Sequence, residues 1–391
     1  MHIPAGILAR AERALTLTPA QEEAVVADFR AAMTAGLAGE QSSLKMLPSH
    51  LGKPTGDERG LFLALDFGGS NVRVQLIELQ GQGKWLVRSQ TAAPLRDPAG
   101  AYDYTAAAVT GEQLFDFLAA QIAALVDDGR DYLLGHTFSF PCRQPDLGHA
   151  VLLGWTKEIK TAGVEGREVS GLLAAALARR GLARVRPVAV INDTVGTMLA
   201  AAYRDGSADI AAICGTGHNT CYYDDARDTI INMESGNFAA LPLSSWDDAL
   251  DTASEHPGAQ RLEKAVAGRY LGEIARLIVA DAGGETGPPY SLTAEDLARW
   301  LAEPDGLRRR LATLVAGRSA RLVAATFRSV LTHIDPGRKY KHTVAIDGSL
   351  YEKMPGYAGM LAAALGASPV LVKDGSGAGA AVAAALTVSR R

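Results

Sequence analysis

The stretch LFLALDFGGSNVRVQLIEL, Leu61 to Leu79, sets an aspartate and two glycines between two apolar runs. Leu61, Leu63 and Leu65 alternate before the glycines, and Val72, Val74 and Leu76 alternate after them. That period reads as a strand on each side. A P-loop requires GxxxxGK[ST] opening a helix, and a dinucleotide fold requires GxGxxG opening a helix. Here a second strand follows instead. The segment predicts a hairpin whose turn, Gly68-Gly69-Ser70-Asn71, offers backbone N–H groups and a hydroxyl where no side chain obstructs a phosphate. Asp66, at the strand's end, is placed to hold a hydrated cation. The same residues also suit an ordinary hairpin turn, so a second observation has to decide.

The whole chain sets the bounds. Its 391 residues are enough for two domains or one large α/β unit. A formal net charge of -4, from 39 basic and 43 acidic side chains, comes with no long basic run, so nucleic acid is not an expected partner. The N-terminal MHIPAGILARAERAL lacks a basic segment followed by an apolar one, and no apolar run has the length that spans a bilayer. A soluble, cytoplasmic protein without a membrane partner is expected. Cys142, Cys214 and Cys221 are odd in number and form no CxxC pair, which predicts reduced structural thiols. The eight histidines show no metal-ligand spacing.

Along the chain, Thr18-Pro19-Ala20-Gln21 opens a helix with a capping box, and Val25, Phe29, Met33 and Leu37 give it one apolar face. The connector PSHLGKPTGDERG then reads as a boundary. Beyond the first hairpin the pattern predicts a helix over 110–126 opened by a second Thr-x-x-Gln box at Thr110, a strand near YLLGHTFSF, a helix over 167–180 stopped by Gly181, and a strand over 188–191. Strands alternating with helices make this an α/β protein, and the hairpin makes its sheet mixed rather than all parallel. A second strand, Gly-turn, strand unit appears in DIAAICGTGHNTCYYD, with Gly215-Thr216-Gly217 at its tip. A third strand end lies in HTVAIDGSLYEK, and Gly375-Ser376-Gly377 precedes an alanine-rich helix. A hydroxyl-bearing glycine turn that recurs in both halves favours a phosphate site over a chance turn.

Between and beyond the two hairpins lies a set of polar residues in apolar surroundings. HTFSFPC, GWTKEIK and VAVINDTVGTM supply Ser139, Phe140, Thr156, Lys157, Asn192 and Asp193, and later segments supply Glu234 and Glu263. Carboxylates and amides suit a polyhydroxylated ligand, since each bonds adjacent hydroxyls. Asp193 follows an apolar strand, at the end where ligands gather in open α/β sheets. Each residue has a plainer role open to it. Asp193 or Thr194 can cap a helix, Glu234 and Glu263 can be solvated surface charges, and Lys157 with Glu158 can be an exposed pair.

These segments resemble the hexokinase family, within the actin-like ATPase superfamily, from about Leu47 to Ala385. LALDFGGSNVRV is similar to its first phosphate motif, FSFPC and LLGWTKEIKTAGVEG to its sugar signature, and VINDTVGTMLAAAY to its catalytic segment. ICGTGHNTCYY is similar to its second phosphate motif, and AIDGSLYEKMPGY with VKDGSGAGAA to its adenosine region. The resemblance implies a two-domain actin-like ATPase (ribonuclease H-like) α/β fold with mixed sheets and an interdomain cleft. It implies a small domain over 60–192 joined by the C-terminal helix 377–391, and a large domain from 1–59 and 193–376. The activity it implies is transfer of the ATP γ-phosphate to the 6-hydroxyl of glucose or a related hexose, the alternative being a non-catalytic hexose sensor of the same fold.

By that likeness Asp193 is the general base, assisted by Lys157, while Ser139, Phe140, Thr156, Lys157, Asn192, Asn219, Glu234 and Glu263 hold the hexose. Asp66, Gly68, Gly69, Ser70, Asn71, Arg73, Gly215, Thr216, Asp347, Gly348, Ser349, Gly375 and Ser376 surround ATP, with Asp66 holding Mg²⁺ through water. Four departures stand out. The family usually has Thr at the position of Ser70, Trp at Ser235, and Gly-Ala-Phe at Gly236-Asn237-Phe238, and eukaryotic members are longer. Ser235 in place of an aromatic is expected to leave space beside Glu234 and to loosen hexose selectivity. The implied division of the sugar ligands between two domains predicts closure: small-angle scattering should give a smaller radius of gyration at saturating glucose, and an unchanged profile contradicts it.

Overall fold

The computed structural model describes residues 5–126, 129–156 and 158–389. The chain folds as two compact units, one of Met1–Leu47, Ile210–Tyr222 and Asn232–Lys373, the other of Pro48–Asp209, Tyr223–Ile231 and Asp374–Arg391. Each is described in turn, the Gly-loop unit first.

The opening stretch is a hairpin. Strands Arg59–Phe67 and Asn71–Gly81 pair antiparallel from Arg59 with Gln80 to Phe67 with Val72, and Lys84–Pro94 extends them on the far side. On its other edge Arg59–Phe67 pairs in parallel with Tyr132–Phe138, which pairs in parallel with Val185–Ile191. The five-stranded sheet is therefore mixed, as the hairpin implied. Leu63, Leu65 and Phe67 alternate inward against Leu114, Phe115, Leu118, Leu173 and Leu177, from helices Gly111–Ala123 and Val169–Arg179. Thr110 and Gln113 close the expected capping box on the first, and Glu168 caps the second.

The opposite face takes the alanine-rich helix Gly375–Ser389. It lies close enough that a Cβ at Gly135 would collide with the Ala380 backbone, and one at Gly379 with the backbone of Gly196. Side-chain-free contact of this kind brings a helix axis nearer than ordinary packing permits. Gly196 lies in helix Asp193–Arg204, so that helix belongs with Gly375–Ser389 in this unit. The expected boundary at Asn192/Asp193, with 193–209 in the large domain, is corrected by that contact. The segment 48–59, also expected in the large domain, is tied here too: Gly83 donates to the Gly56 carbonyl (2.9 Å) and Tyr203 to that of Glu58 (2.8 Å).

In the other unit, Ala208–Cys214 and His218–Asp224 form the second expected hairpin, paired from Ile210 with Tyr222 to Cys214 with His218. Thr343–Asp347 lies beside Ala208–Cys214 and pairs in parallel with Val370–Leu371. The predicted first helix spans Pro19–Leu37, with the Thr18–Gln21 capping box formed and Val25, Phe29 and Met33 buried. It packs on the 28-residue helix Leu307–Ile334, and Ser329 donates to the Val26 carbonyl at 3.0 Å. Arg318 in the middle of that helix is wholly buried and makes a two-pronged ion pair with Asp247, at 2.6 and 2.7 Å. No helix among the described residues is long and apolar enough to cross a membrane.

One buried group has a measurable consequence. His136, on the strand Tyr132–Phe138, is fully buried, and neither ring nitrogen has a hydrogen-bond partner among the described residues. Burial pushes its pKa down to about 3. In the unfolded chain it titrates near 6.5, so its contribution to stability is complete above about pH 6.5 and is lost as pH falls toward 3. At pH 5 the loss is on the order of 2 kcal/mol. The melting temperature of the wild type should therefore fall more steeply between about pH 7 and 5 than that of His136→Leu; parallel curves contradict a buried neutral histidine.

Candidate active site

Three adjacent strands deliver the candidate residues of the Gly-loop unit to one edge. Register pairs Phe67 with Phe138, and Thr137 with Ile191. Arg59–Phe67, Tyr132–Phe138 and Val185–Ile191 therefore end level with one another. Asp66 and the glycine turn, Ser139, and Asn192 with Asp193 all emerge at the C-terminal edge of this parallel core, the place where α/β sheets bind ligands. The first turn of Gly375–Ser389 reaches the same edge: the Ser376 hydroxyl donates to Asp66 Oδ2 at 2.7 Å, and Thr137 donates to the Ser376 carbonyl at 2.9 Å.

Arg73 completes this cluster. It faces Asp66 across the hairpin, donating to Asp66 Oδ2 at 3.0 Å and to the Ser376 hydroxyl at 3.3 Å, and it pairs with Asp374. Burial opposes its charge, but the two carboxylates outweigh burial and hold its pKa above the ordinary value. Sequence reasoning placed Asp66, Arg73 and Ser376 together and missed Asp374, a non-glycine residue at a φ of 56° just before the helix. In the turn, Gly69 takes a φ of 149°, a conformation that favours glycine, and the Asn71 amide donates to the Ser70 hydroxyl at 3.2 Å.

At the end of Val185–Ile191, the cap of the next helix is Asn192: its side chain accepts from Thr194 N–H at 2.9 Å. Asp193 is the first helical residue, and its bonds to Thr194 N–H (2.8 Å) and hydroxyl (3.3 Å) use Oδ1. Ser139 is nine-tenths buried, and its hydroxyl has no partner among the described residues. Phe140 packs with Phe67, Phe138 and Trp155, its ring centroid 5.0 to 5.2 Å from Phe67 and Trp155. Thr156 is exposed. Lys157 lies outside the described residues.

The other unit brings its candidates together through residues the sequence reading did not single out. Asn232 is the hub. Its carbonyl oxygen accepts from the Asn219 amide at 2.9 Å, and its own amide donates to Glu234 Oε1 at 2.8 Å. Glu234 sits at a φ of 52°, outside the range most side chains prefer. Glu263 Oε2 accepts from His218 N–H at 2.9 Å, and a Cβ at Gly217 would lie 2.9 Å from the same oxygen. Neither glutamate is the solvated surface charge that its plainer reading proposed. Burial lowers the pKa of His218 to about 4, so its ring, which faces Cys214 Sγ at 3.7 Å, is neutral at pH 7. Ser235 is corrected: it is fully buried and its hydroxyl donates to Thr220 Oγ1 at 3.2 Å, so it does not line an open space beside Glu234.

The second glycine turn is held from behind. Gly215 N–H donates to the Gly217 carbonyl at 3.1 Å, while the carbonyls of Gly215 and Thr216 accept from Gly268 and Arg269 at 2.9 and 3.1 Å. Gly348 has a φ of 127°, and a Cβ there would come within 2.5 Å of the Cys214 carbonyl. That approach explains a glycine between Asp347 and Ser349 and sets the Ser349 helix against the turn. Gly215, Thr216 and Ser349 line one cavity of about 290 Å³ within this unit.

Family models described as Hexokinase match residues 7–203 and residues 209–298 with 293–386. Hexokinase-3 of Homo sapiens is 35% identical over 94% of this chain, and the match spans 45% of that relative, so the chain is about half its length. Hexokinase-1 of Oryza sativa subsp. japonica is 35% identical, with 94% of this chain and 88% of the relative covered. A solved structure of hexokinase from Schistosoma mansoni complexed with glucose superposes with a TM-score of 0.83 at 30% identity, covering 97% of this chain and 99% of that one. Matches of this extent, together with an actin-like ATPase α/β fold and glycine turns in both halves, establish that the chain belongs to the hexokinase family.

Proposed function

We propose that this protein is a cytoplasmic, ATP-dependent hexose 6-kinase that moves the γ-phosphate of ATP to the 6-hydroxyl of glucose or a related hexose. The observation that carries the reading is the place of Asp193, which shares the Thr194 N–H with Asn192 through Oδ1 alone. Asn192 supplies the helix cap, while Asp193 stands at the sheet edge where Ser139 and Asp66 also emerge. A carboxylate in that place is suited to chemistry. Its bonds to Thr194 engage Oδ1, so Oδ2 takes the proton as the sugar oxygen attacks phosphorus in line. The three cysteines are free thiols, which accords with a reducing compartment.

The hexose ligands are assigned to Ser139, Thr156, Lys157, Asn192, Asn219, Glu234 and Glu263. Ser139 brings an unpartnered buried hydroxyl, which a sugar hydroxyl would satisfy. Asn219 and Glu234 are preset by Asn232, so little ordering is left to binding. The phosphates are assigned to the turns Gly68-Asn71 and Gly215-Thr216, with Arg73 and Ser376 beside the first. The donor set fits magnesium: Asp66 is a hard oxygen ligand, and its bonds to Arg73 and Ser376 engage Oδ2. Bound there through water, Mg²⁺ would neutralise charge on the transferring phosphate. Arg73 and Ser376 orient the carboxylate for it.

Asp193→Asn tests the assignment. It keeps the side chain's size and leaves the Asn192 cap in place, so the melting temperature and glucose affinity by calorimetry should stay near wild type. The kcat should drop by roughly 10² to 10⁴-fold. A variant that keeps near-normal kcat removes Asp193 from the chemistry. Asn192→Ala provides the contrast, losing about 1 kcal/mol of stability with the cap.

A further inference from the structure

The cavity beside the second glycine turn is bounded by a residue in a strained backbone conformation. Gly215, Thr216 and Ser349 form one part of its wall, and Arg269, Tyr290 and Thr293 another. At about 290 Å³ it is near the lower size of small-molecule sites, ~300 Å³. Tyr290 has a φ of 60°. A bulky aromatic side chain in the left-handed region is an outlier, and such outliers persist only where neighbours enforce them. Tyr290 is also 39% exposed, so burial of its ring does not account for the cost.

The neighbours that enforce it are built for the purpose. Glu273, almost wholly buried in helix Gly268–Asp281, accepts from Tyr290 N–H at 2.6 Å through Oε2. The same carboxylate is clamped by Arg276 at 2.8 and 2.6 Å, and Arg276 also donates to the Thr286 hydroxyl at 3.3 Å. After Tyr290, a Cβ at Gly272 would collide with the Leu292 carbonyl, and Thr293 caps the next helix through Asp296. The segment 286–293 is thus fastened at four points while its one aromatic side chain stands at the cavity. The ring is steadied by Tyr270, edge-on at 6.4 Å.

Resting on the kinase reading of the glycine turns, we propose that Tyr290 is the stacking face for the base of the phosphate donor, and that Glu273 is the positioning residue that holds it in its left-handed conformation. A phosphate chain at Gly215-Thr216 places the rest of a nucleotide in this cavity, and an aromatic ring offers a base a flat, weakly sequence-selective partner. Donors with different bases therefore share the site, purines ahead of pyrimidines because their π-surface is larger.

The test is calorimetric titration of MgADP and of magnesium tripolyphosphate into the wild type, Tyr290→Asn and Tyr290→Phe. Asn tolerates the left-handed conformation, so Tyr290→Asn removes the ring without strain, and its melting temperature should match or exceed the wild type's. Expected is about tenfold weaker MgADP binding for Tyr290→Asn, near-wild-type binding for Tyr290→Phe, and unchanged tripolyphosphate binding in both. Steady-state kinetics should show the same split, with a raised KM for MgATP and with kcat and glucose KM within about twofold. MgADP affinity within twofold of wild type in Tyr290→Asn, or equal weakening of the base-free ligand, overturns the proposal. If the wild type binds MgADP through Tyr290 but transfers no phosphate to a hexose, the kinase reading fails while this one stands.

Discussion

The candidate site of the Gly-loop unit depends on one constraint: three parallel strands must end level, and one helix must approach them without side chains in between. The register of Arg59–Phe67, Tyr132–Phe138 and Val185–Ile191 supplies the first condition. Gly135 against Ala380 and Gly379 against Gly196 supply the second. A larger residue at either glycine would force Gly375–Ser389 outward and carry Ser376 and Asp374 away from Asp66 and Arg73. Backbone packing at these glycines is therefore what fixes the polar cluster, because a close-packed interior transmits a displacement rather than absorbing it.

The other unit reaches the same end by hydrogen bonding. Asn232 joins Asn219 to Glu234, and His218 N–H fixes Glu263, so carboxylates that would otherwise favour water are held in place by donors. Partly buried carboxylates are tolerable only when so satisfied. Glu234 at φ 52° is the backbone cost of that arrangement. Costs of this kind gather at sites that have work to do.

Much of this was legible from short-range pattern. The hairpins at Leu61 to Leu79 and Asp209 to Tyr223, the capping boxes at Thr18 and Thr110, and the strand running into Asn192-Asp193 all depend on residues a few positions apart, and the chain forms them as read. What escaped depends on partners distant in sequence. Asp374 meets Arg73 across some three hundred residues, and Arg318, a charge in mid-helix, makes sense only with Asp247. Helix Asp193–Arg204 was placed with the wrong unit because the Gly196–Gly379 contact has no periodic signature. Ser235 misled for a related reason: a small residue in place of a large one reads as space until Thr220 is found bonded to it.

The central claim is phosphoryl transfer from ATP to a sugar, and phosphorus NMR of the reaction mixture tests it most directly. With MgATP and glucose, the account predicts a phosphate ester on the 6-oxygen of glucose growing in step with ADP, and slow ATP loss when glucose is omitted. ATP turnover at equal rates with and without glucose, or glucose binding with no ester formed, would contradict it.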